Sequence, residues 1–307
     1  MGVGYSNDPV ATPGVTYTYD RLGRRKTVLR SGTTTTYEYA GSGQLLSEWH
    51  SGGLLSGMQV TNTYNSLSQR RSVTASRWST GFSYFPQSFV TNLFTYDGAS
   101  RVASVSDGSF SGDYTYLANS MLIGQVTFKQ GATMRMTTSR KYDRLNRLRE
   151  ISSTPTGANQ MPFHYAYEYN GANQRVRTTL GDGSFWVYSY DSLGQATSGK
   201  KYFEDGTPVP GQQFEYAFDT IGNRTSTKAG GDQNGGNLRP ASYGVSALNQ
   251  YTSRTIPSSF DVVGIADAGS TVSINGSGTG VYRRGQYFQK ALTVSNGGGP
   301  VWQSVSA

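Results

Sequence analysis

Short runs of the chain alternate apolar or aromatic residues with polar ones at every second position, as in "RVASVS" (101–106) and "RLREIS" (147–152). Period two marks a half-buried strand. No comparable length carries the apolar spacing of a helix. The alternation is punctuated by a recurrent phrase: "YTYDRLGRR" at 17–25, "RKYDRLNR" at 140–147 and "YSYDSLGQ" at 188–195. Tyr-x-Tyr places two aromatics on one face of a strand. The Asp that follows opens a turn, because its side chain bonds the backbone two residues on.

Aligned on the second aromatic, the phrase has nine copies, anchored at Tyr19, Tyr39, Tyr64, Tyr96, Tyr116, Tyr142, Tyr169, Tyr190 and Phe218 and separated by 20 to 32 residues. Two places earlier stand Tyr17 and its counterparts. One place later Asp or Asn occurs in seven copies: Asp20, Asn65, Asp97, Asp143, Asn170, Asp191 and Asp219. Four places on, every copy has a small or amide residue: Gly23, Gly43, Ser68, Ser100, Ser120, Asn146, Asn173, Gly194 and Gly222. Gly or Asn there takes the positive φ that a three- to five-residue hairpin loop needs. Arg or Gln dominates the fifth place, as in Arg24, Arg101, Arg147 and Gln174, and is read as the start of the returning strand. In three copies the Arg falls one place later, at Arg70, Arg175 and Arg224. Each copy therefore predicts a β-hairpin. A lone hairpin is marginal in water, so the copies must stack edge to edge and share an aromatic face.

"YTYDRLGRR", "FTYDGASRV", "RKYDRLNRL" and "FEYAFDTIGNR" resemble the YD repeats, also called RHS repeats, of bacterial RHS proteins, Tc toxin C components and teneurins. The resemblance covers about residues 15–254. It implies an all-β fold: antiparallel hairpins in a curved, spiralling sheet that forms part of a shell. In bacterial relatives such a shell encloses a toxic C-terminal polypeptide; in teneurins it is a scaffold for adhesion. It also implies a secreted or cell-surface setting, with the remainder of a longer RHS polypeptide as partner. The "DPxGRF" segment whose aspartates free the toxin in bacterial relatives is absent, and the Asp-Pro pair, Asp8-Pro9, stands at the other end of the chain. No protease residues are carried over.

Around this array the reading has an N-terminal segment, 1–14, and a C-terminal module, 255–307. The module loses the YD columns and shows alternating strands near 271–275, 287–294 and 301–306, with Asn275-Gly276 as a hairpin turn signal. It is read as a small β-sandwich-like, Ig-like unit of five to seven strands. Residues 228–247, rich in Gly and Asn, lack strand alternation.

Composition narrows the chemistry. The 307 residues hold 22 Tyr and 39 Gly but only 15% charged residues, and no Cys, so disulfides, thiolate zinc and a Cys nucleophile are excluded. No apolar run approaches a bilayer span and no signal peptide is visible. The net charge of +8 permits an acidic partner. The basic residues are dispersed in singles and pairs, which speaks against nucleic acid. His50 and His164 are far apart and neither lies in a serine-triad or zinc pattern. Asp107, Asp113, Asp182, Glu204 and Asp205 are candidates for the paired carboxylates of a glycoside hydrolase. Their settings, "SDGSFSGD" and "LGDGSF", read instead as Asp-Gly turns. Catalytic, cofactor and metal residues are therefore assigned to none. The leading expectation is a non-catalytic structural segment. The alternative is an extracellular adhesion or carbohydrate-binding module using exposed Tyr and basic residues, and the third is the hydrolase.

Overall fold

A computed structural model describes residues 2–4, 12–78, 86–157, 162–299 and 301–307. Asp8-Pro9 and most of the N-terminal segment lie outside them. Among the described residues the chain is all-β and antiparallel. The strands are β1 (Gly2–Val3), β2 (Val15–Tyr19), β3 (Arg25–Arg30), β4 (Thr33–Tyr39), β5 (Leu45–Ser51), β6 (Met58–Tyr64), β7 (Arg70–Trp78), β8 (Pro86–Tyr96), β9 (Val102–Ser106), β10 (Phe110–Tyr116), β11 (Ile123–Gln130) and β12 (Thr133–Tyr142). They continue as β13 (Leu148–Pro155), β14 (Phe163–Tyr169), β15 (Arg175–Leu180), β16 (Phe185–Tyr190), β17 (Ala196–Tyr202), β18 (Pro208–Phe218), β19 (Arg224–Gly230), β20 (Leu238–Val245) and β21 (Tyr251–Arg254). A separate small sheet holds β22 (Ser259–Ile265), β23 (Tyr282–Arg284) and β24 (Tyr287–Thr293), with β24 in the middle. The chain divides into two compact units, Met1–Arg140 with Ser153–Met161, and Lys141–Ser152 with Pro162–Ala307.

In the hairpin array strands pair with their neighbours in the sequence, as β2 with β3, β3 with β4, β6 with β7, β16 with β17 and β18 with β19. Register is set by the period-two pattern. One face of the first unit carries Tyr37, Val60 and Ala75, brought into line by the pairings Tyr37↔Glu48, Glu48↔Val60 and Val60↔Ala75. The opposite face carries Thr and Ser, zipped by cross-strand hydroxyl pairs: Thr18 with Thr27, Thr63 with Ser72 and Thr95 with Ser104, each 2.6–2.7 Å. Eight of the anchored hairpins have the same irregularity one residue before the anchor, as at Thr18/Tyr19, Glu38/Tyr39 and Ser189/Tyr190. A bulge of this kind strengthens local twist.

Buried apolar side chains are few: Val126, Val209, Ala241, Ile274 and Phe288 among the described residues. Four of these five belong to the second unit, where the small sheet seats on β18. Gly211, at φ 78°, lies so close beneath it that a Cβ there would sit 3.0 Å from Val263 Cγ1. The Tyr287 hydroxyl donates to the Pro210 carbonyl at 2.6 Å. Arg239 pairs with Asp261, which also accepts from Gln289 Nε2.

Two segments differ from expectation. Residues 228–247 form strands after all: β19 and β20 are joined by a turn at 232–236. In the C-terminal module only 287–294 is a strand as expected. Residues 271–275 contribute one isolated bridge, Ile274↔Ser277, around Asn275 and Gly276 at φ 51° and 74°. Residues 301–306 are not a strand; Ser306 instead exchanges hydrogen bonds with the Asn275 backbone N–H and side-chain oxygen. Among the described residues the module thus has three strands, because tight turns take up the residues that alternate.

Candidate functional site

The feature that recurs along the array is a clasp at the hairpin tips. In the first copy the Asp20 N–H donates to the Arg24 carbonyl and the Gly23 N–H to the Asp20 carbonyl. Asp20 Oδ1 accepts from the N–H groups of Leu22 and Arg24, both at 2.9 Å. The same backbone pattern holds at 40–44, 65–69, 97–101, 143–147, 170–174, 191–195 and 219–223. The fourth place has positive φ in all eight: Gly23, Gly43, Ser68, Ser100, Asn146, Asn173, Gly194 and Gly222. The copy anchored at Tyr116 is one residue longer, closing from Leu117 to Leu122, and its positive φ falls on Asn119.

The Arg of the fifth place ends the turn, and the return strand begins one residue later, at Arg25 or its equivalents. This frees the guanidinium for two partners. It closes on its own Asp: Arg24 Nε to Asp20, Arg101 to Asp97 and Arg147 Nε to Asp143, at 2.6–2.7 Å. It also covers the anchor Tyr of the next hairpin: Arg24 over Tyr39 at 4.6 Å, Arg101 over Tyr116 at 4.3 Å and Arg147 over Tyr169 at 4.8 Å. Arg24 Nη1 donates to the Ala40 carbonyl as well, and Arg147 Nη1 to Asn173 Oδ1. Where Asn replaces Asp, the partner becomes Gln: Asn65 Nδ2 donates to Gln69 Oε1 and Asn170 Nδ2 to Gln174 Oε1. A carboxylate takes any donor, the Arg cation in these three copies and the Asn223 amide at Asp219, whereas an amide N–H₂ needs a neutral acceptor.

The anchor Tyr returns the contact. Tyr39, Tyr64, Tyr96, Tyr116, Tyr169 and Tyr190 each donate a hydroxyl proton to the carbonyl of the first return-strand residue in the preceding hairpin, at 2.7–3.0 Å. Phe218 has no hydroxyl; at its hairpin the Arg224 N–H donates to Tyr251 instead. Of the displaced arginines, Arg175 lies over the Tyr167 ring and Arg224 over Tyr216. Asp97 is held below the usual carboxylate range first by the Arg101 backbone N–H, against desolvation, and then by the Arg101 side chain. For Asp143 desolvation opposes most strongly, and the Arg147 backbone and side-chain bonds together outweigh it.

The candidate acids and histidines are dispersed. Asp107 accepts from the N–H groups of Ser109 and Phe110, Asp113 pairs with Lys129, and Asp182 accepts from Ser184. Asp205 pairs with Arg284 and Thr207, while the Glu204 side chain covers Gly183. His50 Nδ1 lies 3.0 Å from Thr35 Oγ1, and His164 Nε2 lies 3.8 Å from Glu150. A general acid needs a raised pKa. Every resolved carboxylate shift here runs downward. No group of three potential metal ligands occurs among the described residues. No helix of the described residues is long and apolar enough to cross a membrane.

Sequence reasoning missed two further clasps, at 232–236 and 246–250, where Asp232 and Ser246 accept the same two backbone N–H groups. Their anchors are Gly231 and Val245 rather than aromatics. A search on Asp or Ser followed three places on by Gly or Asn would have found both.

No protein-family model matches the chain, and no curated protein matches it in sequence. Solved structures do match in fold. They include the crystal structures of TcdB2-TccC3-Cdc42 (14% identity, TM-score 0.56, 92% of this chain), TcdB2-TccC3-TEV (15%, 0.53, 83%) and TcdB2-TccC3 (15%, 0.52, 85%). The chain spans 13–14% of the length of those chains. Its all-β hairpin array is the fold seen there, in agreement with the resemblance of its turns to the YD-repeat shells of Tc toxins.

Proposed function

We propose that the chain is a non-catalytic structural segment of an RHS/YD-repeat shell, and that in a longer polypeptide the shell encloses a C-terminal toxin or effector. The observation that carries this reading is exposed surface. The chain exposes 19788 Å². Size scaling for a compact monomer of 33.3 kDa gives roughly 12,600 Å². A hairpin array with so few buried apolar residues has faces left to cover, and neighbouring stretches of the same repeat supply matching ones. The clasps add to this, since Arg24, Arg101 and Arg147 and six anchor Tyr bind one hairpin to the next rather than to a substrate. Because anchor hydroxyls and clasp arginines are taken up by neighbouring hairpins, rows of Tyr and Arg make a poor free platform for glycans.

The reading is tested on the open reading frame and on the full-length product. Further Asp/Asn turn units on both sides of these residues, with a C-terminal polypeptide resistant to protease until the shell is denatured, are expected. Unrelated domains on both sides, or a C-terminal polypeptide digested as fast as a free one, would overturn it.

A further inference from the structure

The first unit holds a pocket that the clasps do not use. It has a volume of about 540 Å³ and is walled by Glu38, Trp49, Gln59 and Trp78 with the loop that follows Ser51. Its floor follows from register. The pairings Glu38↔Ser47, Trp49↔Gln59 and Gln59↔Ser76 put Glu38, Trp49, Gln59 and Trp78 on one face. This is the Thr/Ser face, so two of the chain's four Trp stand on a polar hydroxyl surface. Trp49 is 37% exposed and Trp78 46%. Burying large rings is strongly favourable, so two positions that line one pocket and leave them open invite an apolar surface to cover them.

The polar groups are arranged around the rings. Trp78 Nε1–H donates to Gln59 Oε1 at 3.1 Å, which turns the Gln59 amide so that its Nε2 has no partner among the described residues. Glu38 Oε2 accepts from Ser47, and its other oxygen is unpartnered among the described residues, as is Trp49 Nε1. The wall is a preformed loop. Gly52 and Gly53 have positive φ and lie against Gly32 and Thr33 too closely for a Cβ, and Gly57 N–H is bonded to the His50 carbonyl.

We infer that this pocket binds a neutral saccharide, one or two pyranose rings. A pyranose has an apolar C–H face to lie on indole and a rim of hydroxyls that donate and accept. Here the rim meets one free carboxylate oxygen, an amide N–H₂ and an indole N–H. A pocket with aromatic walls and a few convergent polar groups is the form small-ligand sites take. An organic cation would use the rings and Glu38, but it would face the Gln59 and Trp49 N–H donors with positive charge. An anion would meet Glu38. The mixed donor and acceptor set fits an uncharged polyol. The site is independent of the shell reading: a surface of the array carries it whether or not the array encloses anything.

Maltose, cellobiose, lactose and diacetylchitobiose are titrated against the whole chain, read by tryptophan fluorescence and saturation-transfer NMR, with tetramethylammonium chloride as the cationic probe. Saturable binding of at least one disaccharide in the millimolar range is expected. Trp49→Ala and Trp78→Ala should abolish it and Trp302→Ala should leave it unchanged. Gln59→Leu, which keeps the rings and the volume, should weaken it about three- to tenfold, the worth of one neutral hydrogen bond. No disaccharide response, saturation by tetramethylammonium alone, or binding unchanged in both Trp49→Ala and Gln59→Leu would overturn the assignment.

Discussion

Gly23 and Ser100 fill the same place in two turns, at φ 74° and 62°. Gly enters this region freely, whereas a residue with a Cβ costs about 1–2 kcal/mol there. Nothing lies within 4 Å of the Cβ that alanine would add at Gly23, so the cost of Gly23→Ala is conformational alone. We expect it to lower the local opening free energy of the β2–β3 hairpin by about 1 kcal/mol, read by native-state hydrogen exchange. Ser100→Gly should leave the β8–β9 hairpin unchanged within about 0.5 kcal/mol, since relieved strain offsets the added flexibility of the unfolded chain. The acid–cation and amide–amide pairing yields a second test at this scale. Asn65→Asp with Gln69→Arg should restore protection lost in Asn65→Asp alone. Equal protection in single and double variants would show that the pairing is incidental. The column of Gly, Ser and Asn was legible in the sequence because φ is a local property. The destination of Arg24 was not, because its ring partner, Tyr39, is in the next hairpin, and local reasoning placed the arginine on the returning strand.

Between hairpins, the unit of cohesion is the Tyr hydroxyl with the arginine above the ring. Tyr96→Phe removes only the bond to the Arg70 carbonyl, 2.8 Å long. Its expected cost is about 0.5–1.5 kcal/mol, with faster exchange in the β6–β7 hairpin as well as in its own. Exchange confined to the β8–β9 hairpin would mean the hydroxyl does not couple the two. For Arg101 and Tyr116, a double-mutant cycle of Arg101→Ala and Tyr116→Phe or Tyr116→Ala should give a coupling near 0.5–1 kcal/mol for the ring, with the phenylalanine retaining most of it. The hairpins themselves could be read from the sequence because strand, turn and strand each carry a local signal. The units at 232–236 and 246–250 escaped that reading because it was anchored on aromatics, while the turn Asp232 or Ser246 alone sufficed to close them. In the C-terminal module, alternation at 271–275 and 301–306 suggested strands, but Asn275-Gly276 folds the first onto a single bridge and the second meets it through two hydrogen bonds.

At the scale of the whole molecule, the second unit is where the hairpin array gains a buried core, through Val209, Ile274 and Phe288. Most of that core is apolar and insensitive to pH, yet its rim is charged. Asp205 accepts from Arg284 Nη2 at 2.7 Å and from Thr207, and Arg284 lies over the Phe203 ring at 4.2 Å. The Arg284 side chain first, and then the Thr207 N–H and hydroxyl, hold Asp205 down to about 2. An unfolded Asp titrates near 3.9. A carboxylate depressed on folding adds stability that is fully present above the unfolded value and is lost as pH falls through the folded one. The seating of the small sheet should therefore loosen between about pH 4 and about pH 2. Amide exchange at Gly211 and Gln213, corrected for the intrinsic rate at each pH, would report it. Arg284→Gln should flatten that dependence, and high salt should flatten it in the wild type as well, because the two side chains are 37% and 51% exposed and open to screening. Protection at Gly211 that holds to pH 2 in the wild type, or falls equally in Arg284→Gln, would assign the seating to the apolar core and the Tyr287–Pro210 bond alone.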